Sequence, residues 1–311
     1  KSDTKPICQS LPRVIEVLLT ALEQPREPGR GAPVVSLDGA AAKPPIESES
    51  DNSAIEQALV SKGLVLLPAG TYRISPSISW AHSGNGNNET DSYFYGLGLD
   101  VGLPWGMSAS LNVPYVQRDY SWGRNDGVGD FSVSLSKTLA EETAKTPSLV
   151  MRLGYVHDNG KDPFNAVPIG GGFRSVEASL SAFKRIEPLV LYGHLSYSHG
   201  WSTTATYLDG ATYYTSEITP ADGYGLGLGA SLAATPEISL DAGLSFDFKG
   251  KNKVAPLEGN AYNTARTVAG YFHFGSTFVL DKNLSLNLTA AAGVTDDAED
   301  FIFMASLPYR F

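Results

Sequence analysis

From residue 72 to the last residue, apolar and polar positions alternate in runs of about ten residues. The final run is the clearest. Within 301–311, Phe301, Phe303, Ala305, Leu307, Tyr309 and Phe311 are apolar, and the positions between them include Ser306, Pro308 and Arg310. Successive side chains of a strand point to opposite faces, so one face of this strand is apolar throughout and the other is mixed. Leu284, Leu286, Leu288, Ala290 and Ala292 likewise oppose Ser285, Asn287 and Thr289. Ile238, Leu240, Ala242, Leu244, Phe246 and Phe248 oppose Ser239, Asp241, Gly243, Ser245 and Asp247. Runs at 224–232 and 93–101 repeat the pattern. Runs of about ten residues suit tilted strands crossing the hydrocarbon of a bilayer. Strands of soluble proteins are usually about half as long.

The pattern predicts strands near 72–82, 92–103, 106–118, 127–139, 147–157, 173–185, 189–201, 221–234, 236–249, 265–280, 283–294 and 300–311. The connections alternate in length. Short ones are 103–106, 140–146, 186–188, 235–236 and 280–283; long ones are 83–91, 119–126, 158–172, 202–220, 250–264 and 295–299. Membrane barrels have short periplasmic turns and longer outer loops, an arrangement that places both chain ends in the periplasm. Tyr72, Trp80, Tyr93, Tyr95, Trp105, Tyr115, Tyr155, Tyr192, Trp201, Tyr224 and Tyr309 fall near strand ends, where aromatic girdles lie. The face opposite the apolar one is rich in Gly and Ser, as a wet lumen allows. A sheet in lipid must also close, because a free edge would leave backbone groups unpaired. The expected fold is therefore an all-β transmembrane protein, a closed antiparallel 12-stranded outer-membrane β-barrel over residues 71–311.

Composition agrees. Charged residues are only 18%, Gly is 32 and Tyr 15 of 311 residues, and no run of 18 or more apolar residues exists to make a spanning helix. The start shows no basic-then-apolar leader, so the chain reads as a mature or trimmed form. The net charge of −10 without a basic cluster gives no footprint for nucleic acid. Cys8 is the only cysteine and reads as a free thiol or as a link between subunits.

The first seventy residues lack strand alternation. In residues 1–24, Val14, Leu18 and Leu22 with Ile15 and Leu19 form an amphipathic helical stripe. Alone it is too short to be stable, so it calls for a partner such as the same helix of another subunit. Residues 25–50 are a Pro/Ala/Gly-rich linker. Residues 51–70 hold a second helix and the lead-in to the barrel. Ser53 and Glu56 have capping-box spacing, Ile55, Ala58 and Leu59 share a face, and Gly63 is a stop. A helix tethered just below a barrel mouth can enter the lumen as a plug or hang outside it as a connector.

No catalytic constellation emerges. His82, His157 and His199 fall at outer strand ends, but the neighbouring Ser83 and Ser198 face the opposite way, and no Gly-x-Ser-x-Gly elbow appears. The acidic stretch 296–300 reads as a solvated outer loop rather than a calcium site. No cofactor is expected. The register points Arg73, Asp100, Asp130, Arg152, Glu177, Asp241, Asp247 and Arg310 inward. In a lumen such charges pair with one another, tune ion selectivity or hold a plug.

Residues 127–135 (Gly127-Val128-Gly129-Asp130-Phe131-Ser132-Val133-Ser134-Leu135) and 147–154 (Pro147-Ser148-Leu149-Val150-Met151-Arg152-Leu153-Gly154) resemble the outer-membrane family named for phenol-degradation gene clusters, as does 67–77. The resemblance covers most of 64–311. Within that family, the order of helix 11–23, linker 25–46 and helix 53–63 before the barrel is similar to the export channels of Fap functional-amyloid secretion systems. That resemblance implies a homotrimer joined by the N-terminal helices, a helix plugging the lumen, and unfolded amyloid subunits as cargo. Ser53, Ile55, Glu56 and Leu59 would then be plug residues. The terminal Phe311 resembles the signal read by the barrel-assembly machinery. The broader family implies an alternative, uptake of small aromatic or hydrophobic compounds.

Overall fold

The structure is a computed structural model and describes residues 53–85, 88–209 and 212–311. The expected N-terminal helix, the linker and Cys8 lie outside the described residues. Among the described residues one helix, α1 (Ala54–Ser61), precedes the sheet. The strands are β1 (Tyr72–Asn85), β2 (Asn88–Leu103), β3 (Met107–Tyr120), β4 (Gly123–Val128), β5 (Ser132–Ala140), β6 (Ser148–Val156), β7 (Ser175–Ile186), β8 (Leu189–Gly200), β9 (Thr203–Asp209), β10 (Thr212–Thr219), β11 (Gly223–Thr235), β12 (Ile238–Lys249), β13 (Lys253–Pro256), β14 (Tyr262–Asn263), β15 (Thr267–Asp281), β16 (Leu284–Gly293), β17 (Phe301–Ser306) and β18 (Tyr309–Arg310).

All barrel pairings are antiparallel, and β1 pairs with both β17 and β18, which closes the sheet on itself. β4 and β5 lie end to end against β3 as one stave, and β17 and β18 form another between β16 and β1. The result is a closed 12-stranded antiparallel barrel. Closure leaves no edge backbone unpaired, as a sheet in hydrocarbon requires.

The burial pattern is inverted relative to a soluble protein. On the outer wall Leu195 is 63% and Leu228 68% exposed, whereas the inward Ser231 and Ser239 are fully buried. Apolar side chains face outward along whole staves, for example Tyr95, Leu97 and Leu99 on β2 and Leu226, Leu228 and Leu244 on β11 and β12. Such a surface needs an apolar solvent.

Four long connections differ from the sequence expectation. Residues 83–91 and 119–126 are not open loops. β1 and β2 stay paired out to Asn85 and Asn88, and β3 and β4 out to Tyr120 and Gly123. Connections 202–220 and 250–264 contain β9, β10, β13 and β14, which build a separate four-stranded sheet. Beyond the hydrocarbon a strand meets water on both faces, so the apolar alternation disappears while the ladder still satisfies the backbone.

A bulge at 129–131 separates β4 from β5 and shifts the inward parity by one residue. Gly127 faces inward above it and Ser132 below it. Asp130 stands in the bulge and does not act as an open lumen charge. Its Oδ1 accepts the Gly160 N–H and its Oδ2 the Gly171 N–H, each at 2.6 Å. The connection 157–174 is thereby folded onto the inner face of β3 and β4, with Val167 and Ile169 buried and the Val167 carbonyl accepting from Asn125 Nδ2 at 2.9 Å.

Removing this acceptor has a direct test. Hydrogen bonds to a charged group contribute about 1.5–3 kcal/mol each. Asp130→Ala should therefore release the loop while the barrel keeps its folded, heat-modifiable migration on a gel. Trypsin cleavage after Lys161 should speed up by about tenfold or more. Unchanged cleavage would mean that the apolar contacts alone hold the loop.

Candidate functional site: the lumen and the helix across it

α1 is an amphipathic helix of 8 residues, about two turns, fixed at both ends. Ser53 is the N-cap and its Oγ accepts the Glu56 N–H at 3.4 Å. The reciprocal half of the expected capping box is absent, because the Glu56 carboxylate turns away to Arg185 Nη2 at 2.7 Å. At the other end Gly63 has φ +69°, a left-handed conformation that favours glycine. The Gly63 N–H donates to Val60 O at 3.0 Å and the Leu64 N–H to Leu59 O at 2.9 Å. This is the Schellman pattern, and Leu64 packs with Leu59 in one buried cluster as the motif requires.

The helix lies among side chains that face the lumen. Leu59 and Leu64 are buried against Phe183 and Val190, with Ile55, Val65 and Tyr192 alongside. Burying a leucine side chain contributes about 1.5–3 kcal/mol. The polar contacts ring this patch. Ala54 N–H donates to Pro236 O at 2.7 Å, and Ser239 Oγ donates to Ala54 O at 3.3 Å. Lys62 Nζ meets Asp241 at 2.9 Å, and Asn287 Nδ2 donates to Ser61 Oγ at 3.0 Å. Arg185 also binds Glu142 through Nη1 at 2.9 Å, joining the helix to the turn after β5. In that turn burial opposes ionisation of Glu142, but hydrogen bonds from Arg185 and Lys184 outweigh it and hold its carboxyl below the usual glutamate range.

After Gly63 the chain crosses to the opposite wall. Gly70 N–H donates to Gly102 O at 3.0 Å and Gly102 N–H to Thr71 O at 2.8 Å, so the lead-in pairs with the end of β2. A side chain at Gly102 would collide with the Pro68 carbonyl and approach Leu67 O to 2.7 Å. Residues 53–71 thus form a strap from the β11–β12 turn to β2, at the end of the barrel that carries the short turns.

The inward charges divide into three groups. Arg73 and Asp100 pair at 2.9 Å across β1 and β2, and Ser110 Oγ donates to Asp100 at 2.6 Å. Arg310 stands opposite Arg73 in the register. Asp241 belongs to the strap contact and Asp130 to the loop. Arg152, Glu177 and Asp247 are exposed to the lumen. Sequence reasoning missed Lys62, Arg185, Tyr192 and Asn287. The signal for Arg185 was present, since it shares the face of β7 with Ser175, Glu177, Ser179, Ser181 and Phe183.

Tyr192 corrects the girdle expectation. It faces inward, with its ring against Gly229, its hydroxyl 3.3 Å from His273 Nε2 and Lys62 Nζ 5.3 Å from its ring centre. The ring of His194 lies against Gly227 in the same way, so this part of the glycine row holds rings rather than open space. The outer-end histidines face outward and pair with carboxylates: His82 with Asp91 at 3.0 Å, His157 with Asp158 at 3.1 Å and His199 with Asp222 at 2.7 Å. Phe311 closes the seam, its N–H donating to Tyr72 O at 2.8 Å.

The Lys62–Asp241 pair is open to a mutational cycle. The Asp241 side chain is only 5% exposed, so Lys62→Met leaves a buried carboxylate without its cation, which costs about 3–5 kcal/mol. Amide exchange over 54–64 should accelerate strongly in Lys62→Met. It should return toward the parent rate in Lys62→Met/Asp241→Leu, where no charge is stranded. Equal exchange in all three proteins would show that the pair does not hold the strap.

No family model matches the sequence. Among solved structures, the chain is similar to an outer membrane channel from Pseudomonas putida F1, at 14% identity over 79% of this chain and 97% of that one, with a TM-score of 0.66. It is also similar to the transport unit of the autotransporter AIDA-I from Escherichia coli, at 14% identity over 84% of this chain and 99% of that one, with a TM-score of 0.47. The first of these likenesses shows the fold, a membrane β-barrel of the outer-membrane type.

Proposed function

We propose that this chain is a gated channel of a Gram-negative outer membrane, closed by the strap 53–71 and used to export unfolded functional-amyloid subunits. The observation that carries the reading is the place of α1 among lumen-facing side chains, held by one small apolar patch and a few polar contacts. Each contact is of a kind that forms and breaks without unfolding the barrel, because the strap contributes no stave. A strap held in this way is a two-state element whose populations a differentially binding ligand or cargo shifts. The resemblance to Fap export channels supplies the cargo, and the homotrimer through residues 1–24 belongs to the same reading. The chain's short-turn end, with the N-terminal region, is then periplasmic.

The lumen supports a hydrophilic passage over the alternative, uptake of small aromatic or hydrophobic compounds. Its wall is built of Ser, Gly, Asn and Thr rows with scattered charges. Two mostly apolar hollows, one walled by Leu180, Leu195, Leu226 and Leu228 and the other by Leu191, Leu244 and Phe272, lie on the outer wall.

Single-channel recording tests the gate. The full chain should be mostly closed in a planar bilayer, and a chain lacking residues 1–63 should conduct steadily. Equal conductance would reduce the strap to a connector, and no conductance in either would end the channel reading. Export is tested by surface detection of an amyloid subunit in cells carrying the channel. Accumulation outside only when the channel is present supports the cargo; faster uptake of an aromatic compound without subunit export supports the alternative.

A further inference from the structure

A cavity lies between the strap and the opposite wall, with a volume of about 220 Å³. Lys62 enters it from the strap, and Arg73, Asp100, Ser110, Asn112 and Arg152 from β1, β2, β3 and β6. Three cations therefore line this space with one carboxylate among them, and that carboxylate is already used. Asp100 Oδ2 accepts from Arg73 Nε at 3.0 Å and Nη2 at 2.9 Å, and Oδ1 accepts from Ser110 at 2.6 Å.

Two guanidinium groups keep unmet donors. Arg73 Nη1 is buried and has no hydrogen-bond partner among the described residues. It is one of seven buried side-chain polar atoms without a partner among the described residues, and in a wet lumen such a donor is met by water or by a ligand that displaces it. Arg152 makes no ion pair with any described residue. Glu177 faces the lumen on the next stave, opposite Gly154, and no ion pair joins it to Arg152. Asn112 adds a neutral amide to the same wall. The Lys62 charge is matched by Asp241, which holds the ammonium at the cavity margin.

We propose that this cavity binds a small carboxylate-bearing anion between Arg73 and Arg152 of the wall and Lys62 of the strap. A guanidinium presents parallel N–H donors that fit the two oxygens of a carboxylate. An anion touching both wall and strap binds the docked arrangement better than the released one, so occupancy stabilises docking. Binding of a small solute does not depend on export or on gating, whereas occupancy by a polypeptide side chain rests on the export proposed above. The carboxylate can belong to a small solute or to an acidic side chain of a passing polypeptide.

The test is calorimetric titration of the full chain in detergent with succinate, alongside succinamide and the Arg152→Gln variant. Arg152 forms no ion pair with a described residue, so this substitution breaks none of the barrel's ion pairs, and gel migration checks that the barrel has formed. Saturable succinate binding is expected, weaker by about tenfold or more in Arg152→Gln, the scale of one lost charge-assisted contact. Succinamide should give no saturable heat. Failure of succinate to bind the parent chain, or equal affinity in Arg152→Gln, overturns the proposal. A glutamate-containing peptide with blocked ends separates the sources. Displacement of succinate by it assigns the site to a passing chain, and no displacement assigns it to a small solute.

Discussion

Backbone hydrogen bonding in hydrocarbon is the constraint from which the rest follows. Water cannot satisfy an N–H or C=O there, so every stave needs a neighbour on both sides. The closure of β1 on β17 and β18 meets that demand. It also fixes which way side chains point. One parity of each stave must suit lipid, and the other encloses a polar space. The inside-out burial is thus a consequence of closure. So is the freedom to place Ser, Asn and charged groups where a soluble protein would place its core.

That polar interior explains how the strap is held. A helix entering an apolar core would be locked by a large buried area. Here α1 brings only Leu59, Leu64 and their neighbours to a small greasy patch formed by Phe183 and Val190. Ion pairs at Glu56 and Lys62 set its position at each end. The Lys62–Asp241 pair acts chiefly through what its loss would strand, a carboxylate only 5% exposed. The same interior leaves Arg73 and Arg152 with donors beyond those that the protein uses. The opposite end is ordered by another economical device, a single carboxylate at a bulge that gathers two loop amides.

Where lipid imposed a period of two, the strands could be read from the chain almost to the residue. The run 93–101 and the run 238–248 both lie within staves of the observed parity. Outside the bilayer that imposition ends, and β9, β10 and the far ends of β1 to β4 escaped notice among Gly, Asn, Thr and Tyr. The helix at 54–61 was legible from its cap residue and its Gly63 stop, both local signals. The partner of Glu56 was not, because Arg185 lies 129 residues away and only the closed barrel brings it near. Asp130 was misread for a related reason. Its parity pointed inward, but the bulge that recruits it to Gly160 and Gly171 has no signature in the alternation. Tyr192 looked like a girdle residue because aromatic side chains mark both interfaces and ring-filled glycine rows alike.

A strap that closes the lumen and can leave it must keep the lumen closed when it is tied to the wall. Ser61 and Asn287 touch across strap and wall, with Asn287 Nδ2 at 3.0 Å from Ser61 Oγ. Cysteines at both positions, with Cys8→Ser to remove the native thiol, would tie the strap to β16. The measurement is single-channel current before and after reduction. A silent channel while the disulfide is intact, and openings once it is reduced, are expected. Steady current through the oxidised protein would contradict closure by the strap.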